Sequence, residues 1–301
     1  MKRIIVAGGS GFIGEPLVRR LIARGDDVAV LTRNPSNVRA GRAVVWSPPS
    51  QGSWSDEATN ADVVINLAGE NVGAGRWTAE RKKRIMGSRI AATSAVVEAM
   101  SRKPSQPRTL ISASATGFYG DRGDEPLDES SPAGSGFLAE VTKRWEERAR
   151  AAEPFARVVI LRFGVVLAKD GGALAKLLLP FRLGAGGPMG SGQQWMPWID
   201  RDDILRIIEW SIDRDATRGT YNATAPNPAR NRDFARALGR VLHRPAFLPT
   251  PAIALRFALG SEMANEMLLG GQRVVPKHAE NEGFEFAHAD LDAALHHAVS
   301  R

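Results

Sequence analysis

Two groups of residues in this chain have the types and spacing for chemistry. The first is Gly8-Gly9-Ser10-Gly11-Phe12-Ile13-Gly14, entered from the apolar run Ile4-Ile5-Val6-Ala7. Glycines at 8, 11 and 14 let a backbone turn tightly from strand to helix and approach a pyrophosphate, which then rests where the helix's first amides and dipole favour negative charge. The whole loop, with Ser10, Phe12 and Ile13, is therefore a candidate dinucleotide cradle. Further on, Leu31-Thr32-Arg33-Asn34 ends a second apolar run without a carboxylate to bond a ribose 2′-hydroxyl. Arg33, next to Thr32, instead offers a planar, permanently charged fork to a 2′-phosphate, so the pattern points to NADP(H) over NAD(H). A charge-assisted contact of about 1.5–3 kcal/mol corresponds to roughly tenfold to hundredfold discrimination.

The second group is a set of hydroxyls and proton carriers. Ser114 closes the apolar run Thr109-Leu110-Ile111-Ser112-Ala113-Ser114, and Tyr119 follows five residues later in a glycine-flanked loop. A hydroxyl at a strand's carboxyl end can orient a carbonyl for hydride transfer, with Glu140, Thr142 and Lys143 as candidate proton carriers. Capping of the strand by Ser114, packing of Tyr119 against the second lobe and an exposed pair of Glu140 with Lys143 or Arg144 are the competing roles.

The elements that must hold these groups are read from periodicity. Gly14 onward is amphipathic (Leu17, Val18, Leu21, Ile22), the turn Arg24-Gly25-Asp26 follows, and Asp27–Thr32 is a strand. Val44–Trp46 reads as a short strand, Ser47–Ser55 as a loop, and Asp62–Gly69 as a buried strand ending in a glycine turn. A helix is predicted from Thr78 to Met100 and a Pro-rich link from Lys103 to Pro107. Another helix spans Gly136–Ala152, and Arg157–Phe163 is a further strand. Apolar strands alternating with helices predict an α/β fold, a Rossmann-type doubly wound parallel sheet with ligands at the strands' carboxyl ends. Leu67, Ala68, Gly69 and Glu70 end one central strand and Gly164-Val165 follow another, which makes them candidate cofactor contacts.

Beyond Gly164 the pattern changes to a glycine-rich stretch around Leu174–Leu183, a short strand at Trp195–Ile199, a helix over Asp203–Ile212 and a strand near Tyr221-Asn222-Ala223. Helices follow from Arg232, Pro251, Glu262 and Ala289. The expected division is residues 1–168 as the nucleotide-binding domain and 169–301 as a smaller, mostly helical C-terminal substrate lobe, with segments near 195–225 returning to the sheet. Trp195, Trp198, Met189 and Met196 are placed near the cleft.

The chain has 301 residues and no cysteine, which excludes disulfides, thiolate nucleophiles and cysteine metal sites. No apolar run approaches a membrane span and no cleavable leader is evident, so a cytoplasmic protein without a membrane partner is expected. The formal charge of +7 is mostly scattered arginine. The cluster Arg81-Lys82-Lys83-Arg84 lies on a predicted helix, and no helix-turn-helix or aromatic RNA-binding signature accompanies it, so no nucleic-acid partner is expected. The five histidines show no metal-ligand spacing, and no metal is expected.

Taken together, several motifs resemble the extended short-chain dehydrogenase/reductase superfamily, and more closely its atypical "epimerase family" branch with a C-terminal extension. They are the glycine loop, Asn66-Leu67-Ala68-Gly69-Glu70-Asn71, Arg76-Trp77-Thr78, Gly87-Ser88-Arg89, Ser112 to Gly120, Gly186 to Gly192, Met196-Pro197-Trp198-Ile199 and Gly270 to Pro276. The resemblance implies a nicotinamide-dependent oxidoreductase or epimerase acting on a small molecule, with Arg89 near the nicotinamide and a possible homodimer through the two long helices. In that superfamily a tyrosine four residues before a lysine transfers the proton. Here Tyr119 is followed at that spacing by Gly123 and Tyr221 by Ala225, so the pair is missing. The resemblance places Leu138 in the tyrosine slot, Thr142 in the lysine slot and Ser114 in the serine slot; a one-residue shift would instead align Lys143 with Ala139, and neither register restores a phenol. An NADP(H)-binding sensor or scaffold without catalysis is the alternative that this loss supports.

Overall fold

A computed structural model describes residues 1–50, 52–104 and 108–300. The end of the Pro-rich link, residues 105–107, lies outside the described residues. In chain order the elements of the first half are β1 (Arg3–Ala7), α1 (Gly14–Ala23), β2 (Asp27–Thr32), β3 (Arg42–Val45), α2 (Trp54–Asn60), β4 (Val63–Asn66), α3 (Ala79–Ser101), β5 (Thr109–Ala115), β6 (Pro126–Leu127), α4 (Phe137–Arg150) and β7 (Arg157–Phe163). The second half contributes β8 (Val165–Leu167), α5 (Gly172–Arg182), β9 (Trp195–Met196), β10 (Trp198–Asp200), α6 (Arg201–Asp213), β11 (Gly219–Ala223), β12 (Ala229–Arg230) and α7 (Asn231–Leu242). Then follow α8 (Ala252–Leu259), α9 (Ser261–Ala264), a π-type turn over Asn265–Leu269, β13 (Arg273–Val274), α10 (Lys277–Asn281) and α11 (Leu291–Ser300).

Seven parallel strands form one sheet in the order β11-β7-β5-β4-β1-β2-β3, with the reversal of winding beside β1. Strand alternation explains why both faces are covered. On β1, Ile4 and Val6 point to a core shared with Leu17, Val18 and Leu21 of α1 and Ile204 and Ile208 of α6. Ile5 and Ala7 point the other way, to Val96 of α3, Trp54 of α2 and Ala149 of α4. A third core, including Leu174, Phe181, Trp198, Phe234 and Leu295, belongs to the C-terminal lobe.

Residues after 168 serve both lobes: β11 extends the main sheet, α6 lies on it, and β10 pairs with β8. Two helices have no counterpart in the sequence reading. Where the expected loop over Ser47–Ser55 ends, α2 begins at Trp54, which is buried and packs 5.7 Å from Trp46. A lone tryptophan in a Ser/Gly/Pro context carries no periodicity, so only tertiary burial defines this helix. The short α10 likewise lacks enough length to show a period.

Candidate functional site

The glycine loop runs from the end of β1 into α1. Gly8 has φ +81°, and a Cβ there would lie 2.9 Å from the backbone of Leu67, so only glycine lets the turn press against the end of β4. Gly14 is tighter still, because its Cβ would be 2.2 Å from the Gly8 carbonyl oxygen. Gly11 donates to that same oxygen at 3.0 Å, and its own Cβ would sit 3.2 Å away from it. Among the described residues, the amides of Ser10, Phe12 and Ile13 make no backbone hydrogen bond. Donors left over at a helix N-terminus suit an anion, and the loop therefore fits a pyrophosphate. The Phe12 ring is covered by the second lobe: a Cβ on Gly171 would be 2.3 Å from it, and the Arg201 guanidinium lies 5.1 Å from its centre.

At the end of β2, Thr32 Oγ1 accepts from the Asn34 amide and donates to the Asn34 carbonyl, while Asn34 Oδ1 accepts from Ser36. This braces the turn beneath Arg33. Arg33 is exposed, and among the described residues it has no ion-pair or hydrogen-bond partner. Its charge is thus available to a 2′-phosphate.

Arg89 projects from α3 to the end of β4. Its Nη1 donates to the carbonyls of Glu70 and Ile85 at 3.0 Å, its guanidinium lies 5.0 Å from the centre of the Trp145 ring, and a Cβ on Gly69 would sit 3.0 Å from its Cζ. Burial pulls the Arg89 guanidinium down to about 10, with Glu70 opposing, so it stays charged near neutrality. Ser88 receives the Glu70 amide, and buried Asn66 accepts from Ala68 while donating to Thr93. These bonds fix Leu67 to Glu70 at the sheet's carboxyl edge. Gly164 passes within 2.4 Å, measured from its would-be Cβ, of the Pro197 carbonyl, which also accepts from Val165.

The three hydroxyls expected to do chemistry have a different arrangement from a set converging on substrate. Ser114 Oγ donates to Glu146 Oε1 at 2.7 Å inside the protein. Glu146 is held bidentately by Arg162, at 2.7 and 2.8 Å, and Arg162 also donates to the Tyr119 hydroxyl at 2.8 Å. That hydroxyl bonds to Asn222 Oδ1 at 2.7 Å, and the Arg162 guanidinium stacks 3.4 Å from the centre of Phe118. Thr142 Oγ1 turns back to the carbonyls of Leu138 and Ala139 within its own helix. All three side chains are buried. Of the candidate proton carriers, Glu140 pairs with Arg144 on the surface of α4.

Glu146 and Arg162 were not singled out by the sequence reading, although a charged residue within the apolar strand Arg157–Phe163 is a usable signal. Glu266 could not have been found that way. Its carboxylate accepts from the amides of Phe137 and Leu138, both at 2.8 Å, from 129 and 128 residues further along the chain. It caps α4 from the C-terminal extension.

Burial pushes the Tyr119 phenol up to about 12, with Arg162 and Asn222 pulling the other way, and burial also raises Tyr221 to about 12. They are the only tyrosines in the chain. Phenolate absorbance of the folded protein is therefore expected to appear only above the ordinary tyrosine range near pKa ~10, and the urea-unfolded chain should titrate within it. The unfolded chain then binds fewer protons between those values, so stability falls as pH rises from about 10 to 12. A folded-state titration at the ordinary value would contradict the burial.

Asp200, His288 and His297 also come together, with ligand atoms within 4.8 Å of one another. His297 Nδ1 lies 3.0 Å from Asp200 Oδ2, and the two imidazoles stack 4.0 Å apart, 18° from parallel. Stacked rings direct their in-plane lone pairs along separate planes, an arrangement poorly suited to a shared ion. Trp198 is buried and donates to the Asn227 carbonyl, whereas Trp195 lies between the Arg230 and Arg273 guanidiniums at 4.5 and 5.0 Å.

With this geometry in hand, residues 4–224 match the family model of the NAD-dependent epimerase/dehydratase family. The chain belongs to that family. Residues 250–298 match a second family model, a domain of unknown function, DUF1731. Among relatives, the chain is 41% identical to an Arabidopsis thaliana epimerase family protein SDR39U1 homolog described as chloroplastic, over 97% of this chain and 85% of that protein. Among solved epimerase-family structures, it is similar to human epimerase family protein SDR39U1 with NADPH, at 34% identity and TM-score 0.90, covering 99% of each chain. It also resembles a nucleoside-diphosphate sugar epimerase from Corynebacterium glutamicum, at 34% identity and TM-score 0.79, covering 99% of this chain and 58% of that one.

Proposed function

We propose that this epimerase-family chain binds NADPH and catalyses hydride transfer between it and an unidentified small molecule held between the lobes. The observation that carries the reading is the glycine cradle, closed to within a would-be 2.2 Å contact at Gly14, with unpartnered Arg33 at the end of the neighbouring strand. The NADPH in the human relative's structure supports it. When bound, the nucleotide supplies a hydride from its nicotinamide to a carbonyl carbon, and the carbonyl oxygen then takes a proton. In this chain Gly8 to Gly14 hold the pyrophosphate, Arg33 the 2′-phosphate, and Leu67 to Glu70 with Arg89, Gly164 and Val165 shape the nicotinamide side. Ser114, Tyr119 and Thr142 act behind that wall as its frame, and the proton comes from another donor.

Their sequestration is also the specific observation favouring a second reading, an NADP(H)-binding sensor or scaffold without turnover. Paired calorimetric titrations with NADPH and NADH test the shared premise. NADPH should bind at least about tenfold tighter, and Arg33→Ala should remove that preference. Absence of binding by either nucleotide overturns both readings. Oxidation of bound NADPH by members of a carbonyl panel supports the enzyme, whereas tight binding without oxidation supports the sensor.

A further inference from the structure

Helix α8 reads Ala-Ile-Ala-Leu-Arg-Phe-Ala-Leu, apolar all round except at Arg256, yet none of its eight residues is buried. Helices of that composition normally lie inside a core or in lipid. Ile253 and Phe257, one turn apart on the same face, are 78% and 84% exposed. The helix is nevertheless held in place, because Arg76 donates to the carbonyls of Phe257 and Ala258 at its end.

The apolar surface extends beyond this helix. Leu179 of α5 and Leu183, just past its end, are exposed, as are Phe247 and Leu248 in the segment leading to α8. Backbone bonds join these pieces: Leu248 donates to Gly186, Thr250 to Pro188, and Gly190 to Thr250. Arg244 Nε donates to the Arg182 carbonyl, tying the start of the same segment to the end of α5. Scattered apolar residues need no explanation, but a clustered set on one lobe marks an interaction surface.

Positive charge outweighs negative around this surface. No Asp or Glu occurs from Gly171 to Ile199 or from Phe234 to Ser261. Those two stretches carry exposed Arg182, Arg236, Arg240, Arg244 and Arg256. Next to Phe247 a groove of about 770 Å³ is lined by Arg232, Arg236, Arg240, His243 and Arg244. Asp233 and Asp292 are the carboxylates that reach these arginines, with Arg240 bonded to Asp292.

From this surface we infer that the α5–α8 face binds an anionic lipid bilayer, its apolar residues entering the headgroup boundary and its arginines contacting lipid phosphates. The occupant follows from complementarity. A two-fold contact with a second copy would set one arginine collar against another, whereas an anionic lipid surface satisfies both the apolar and the cationic parts. Among the described residues no helix is long and apolar enough to cross a membrane, and the attachment is interfacial. It departs from the expectation of no membrane partner.

Co-sedimentation with phosphatidylcholine vesicles, with and without phosphatidylglycerol, tests the inference on the full chain. The protein should pellet preferentially with the anionic vesicles, and added salt should weaken binding. Each arginine near the surface should contribute about fivefold, so Arg236→Gln with Arg244→Gln should lower anionic-vesicle affinity about twenty-fivefold. Ile253→Ser with Phe257→Ser changes exposed side chains only. It should lower vesicle binding by at least about tenfold while leaving the circular-dichroism melting curve unchanged. The inference falls if the wild type stays in the supernatant with anionic vesicles at low salt, or if pelleting survives the Ser substitutions. It also falls if the wild type runs as a dimer on a sizing column and those substitutions make it monomeric.

Discussion

Replacing Gly14 with alanine is expected to abolish measurable NADPH binding while leaving a folded, less stable protein. The added methyl would lie 2.2 Å from the Gly8 carbonyl oxygen and 2.6 Å from the Gly9 Cα, both backbone atoms that cannot rotate away. The turn must open, and opening it moves the very amides that face the pyrophosphate. Overpacking of this kind costs about 1–3 kcal/mol of stability, and a shift of an ångström at a binding loop can cost about a hundredfold in function. Gly11→Ala should do less, because its nearest contact would be 3.2 Å. Gly75→Ala meets no atom within 4 Å and serves as the control for glycine substitution itself. Calorimetric titration with a parallel melting curve measures both effects. Wild-type affinity in Gly14→Ala would remove the loop from the nucleotide site.

The largest loss of stability is expected from Arg162→Met. Its guanidinium satisfies both oxygens of buried Glu146 and bonds Tyr119, so its removal leaves that carboxylate only the Ser114 hydroxyl and the half-exposed Arg150, 3.6 Å away. Breaking one half of a buried pair typically costs about 3–5 kcal/mol, whereas an apolar pair of similar volume restores much of it. Glu146→Met with Arg162→Met should therefore melt above Arg162→Met alone, and urea unfolding of the four proteins of that cycle gives the coupling. A loss below about 1 kcal/mol for Arg162→Met would show that Glu146 is satisfied without it. Ser114→Ala removes only one donor to that carboxylate and should cost about 1–2 kcal/mol. If its melting curve is intact but its turnover is lost, Ser114 touches substrate after all and the role given to it above is wrong.

The strands and the glycine loop were legible because their signals are local. Ile4 to Ala7 alternate between two cores, and Gly11 and Gly14 each answer to a contact within the same short segment, while Gly8 meets Leu67 at the end of the neighbouring strand β4. The fate of the hydroxyls was not legible. Ser114, Glu146, Arg162, Tyr119 and Asn222 come from β5, α4, β7, the loop after β5 and β11, and their bonding depends on strand order rather than spacing. A strand-end serine looks the same in a sequence whether it faces a cleft or a carboxylate behind it. The apolar α8 could be read as a helix, but only packing reveals that, among the described residues, none of its side chains is buried.

The cap that Glu266 places on α4 has a consequence for the order in which the molecule is completed. A chain emerging from the ribosome through Ala223 already holds every strand of the main sheet, yet the first two amides of α4 still lack their acceptor. The same delay applies to β6, whose partner strand begins only at Arg273. The strands can thus be assembled early in synthesis, while the first turn of α4 waits for the final part of the polypeptide. A ribosome that stops before that carboxylate is made leaves a complete sheet beside an uncapped helix.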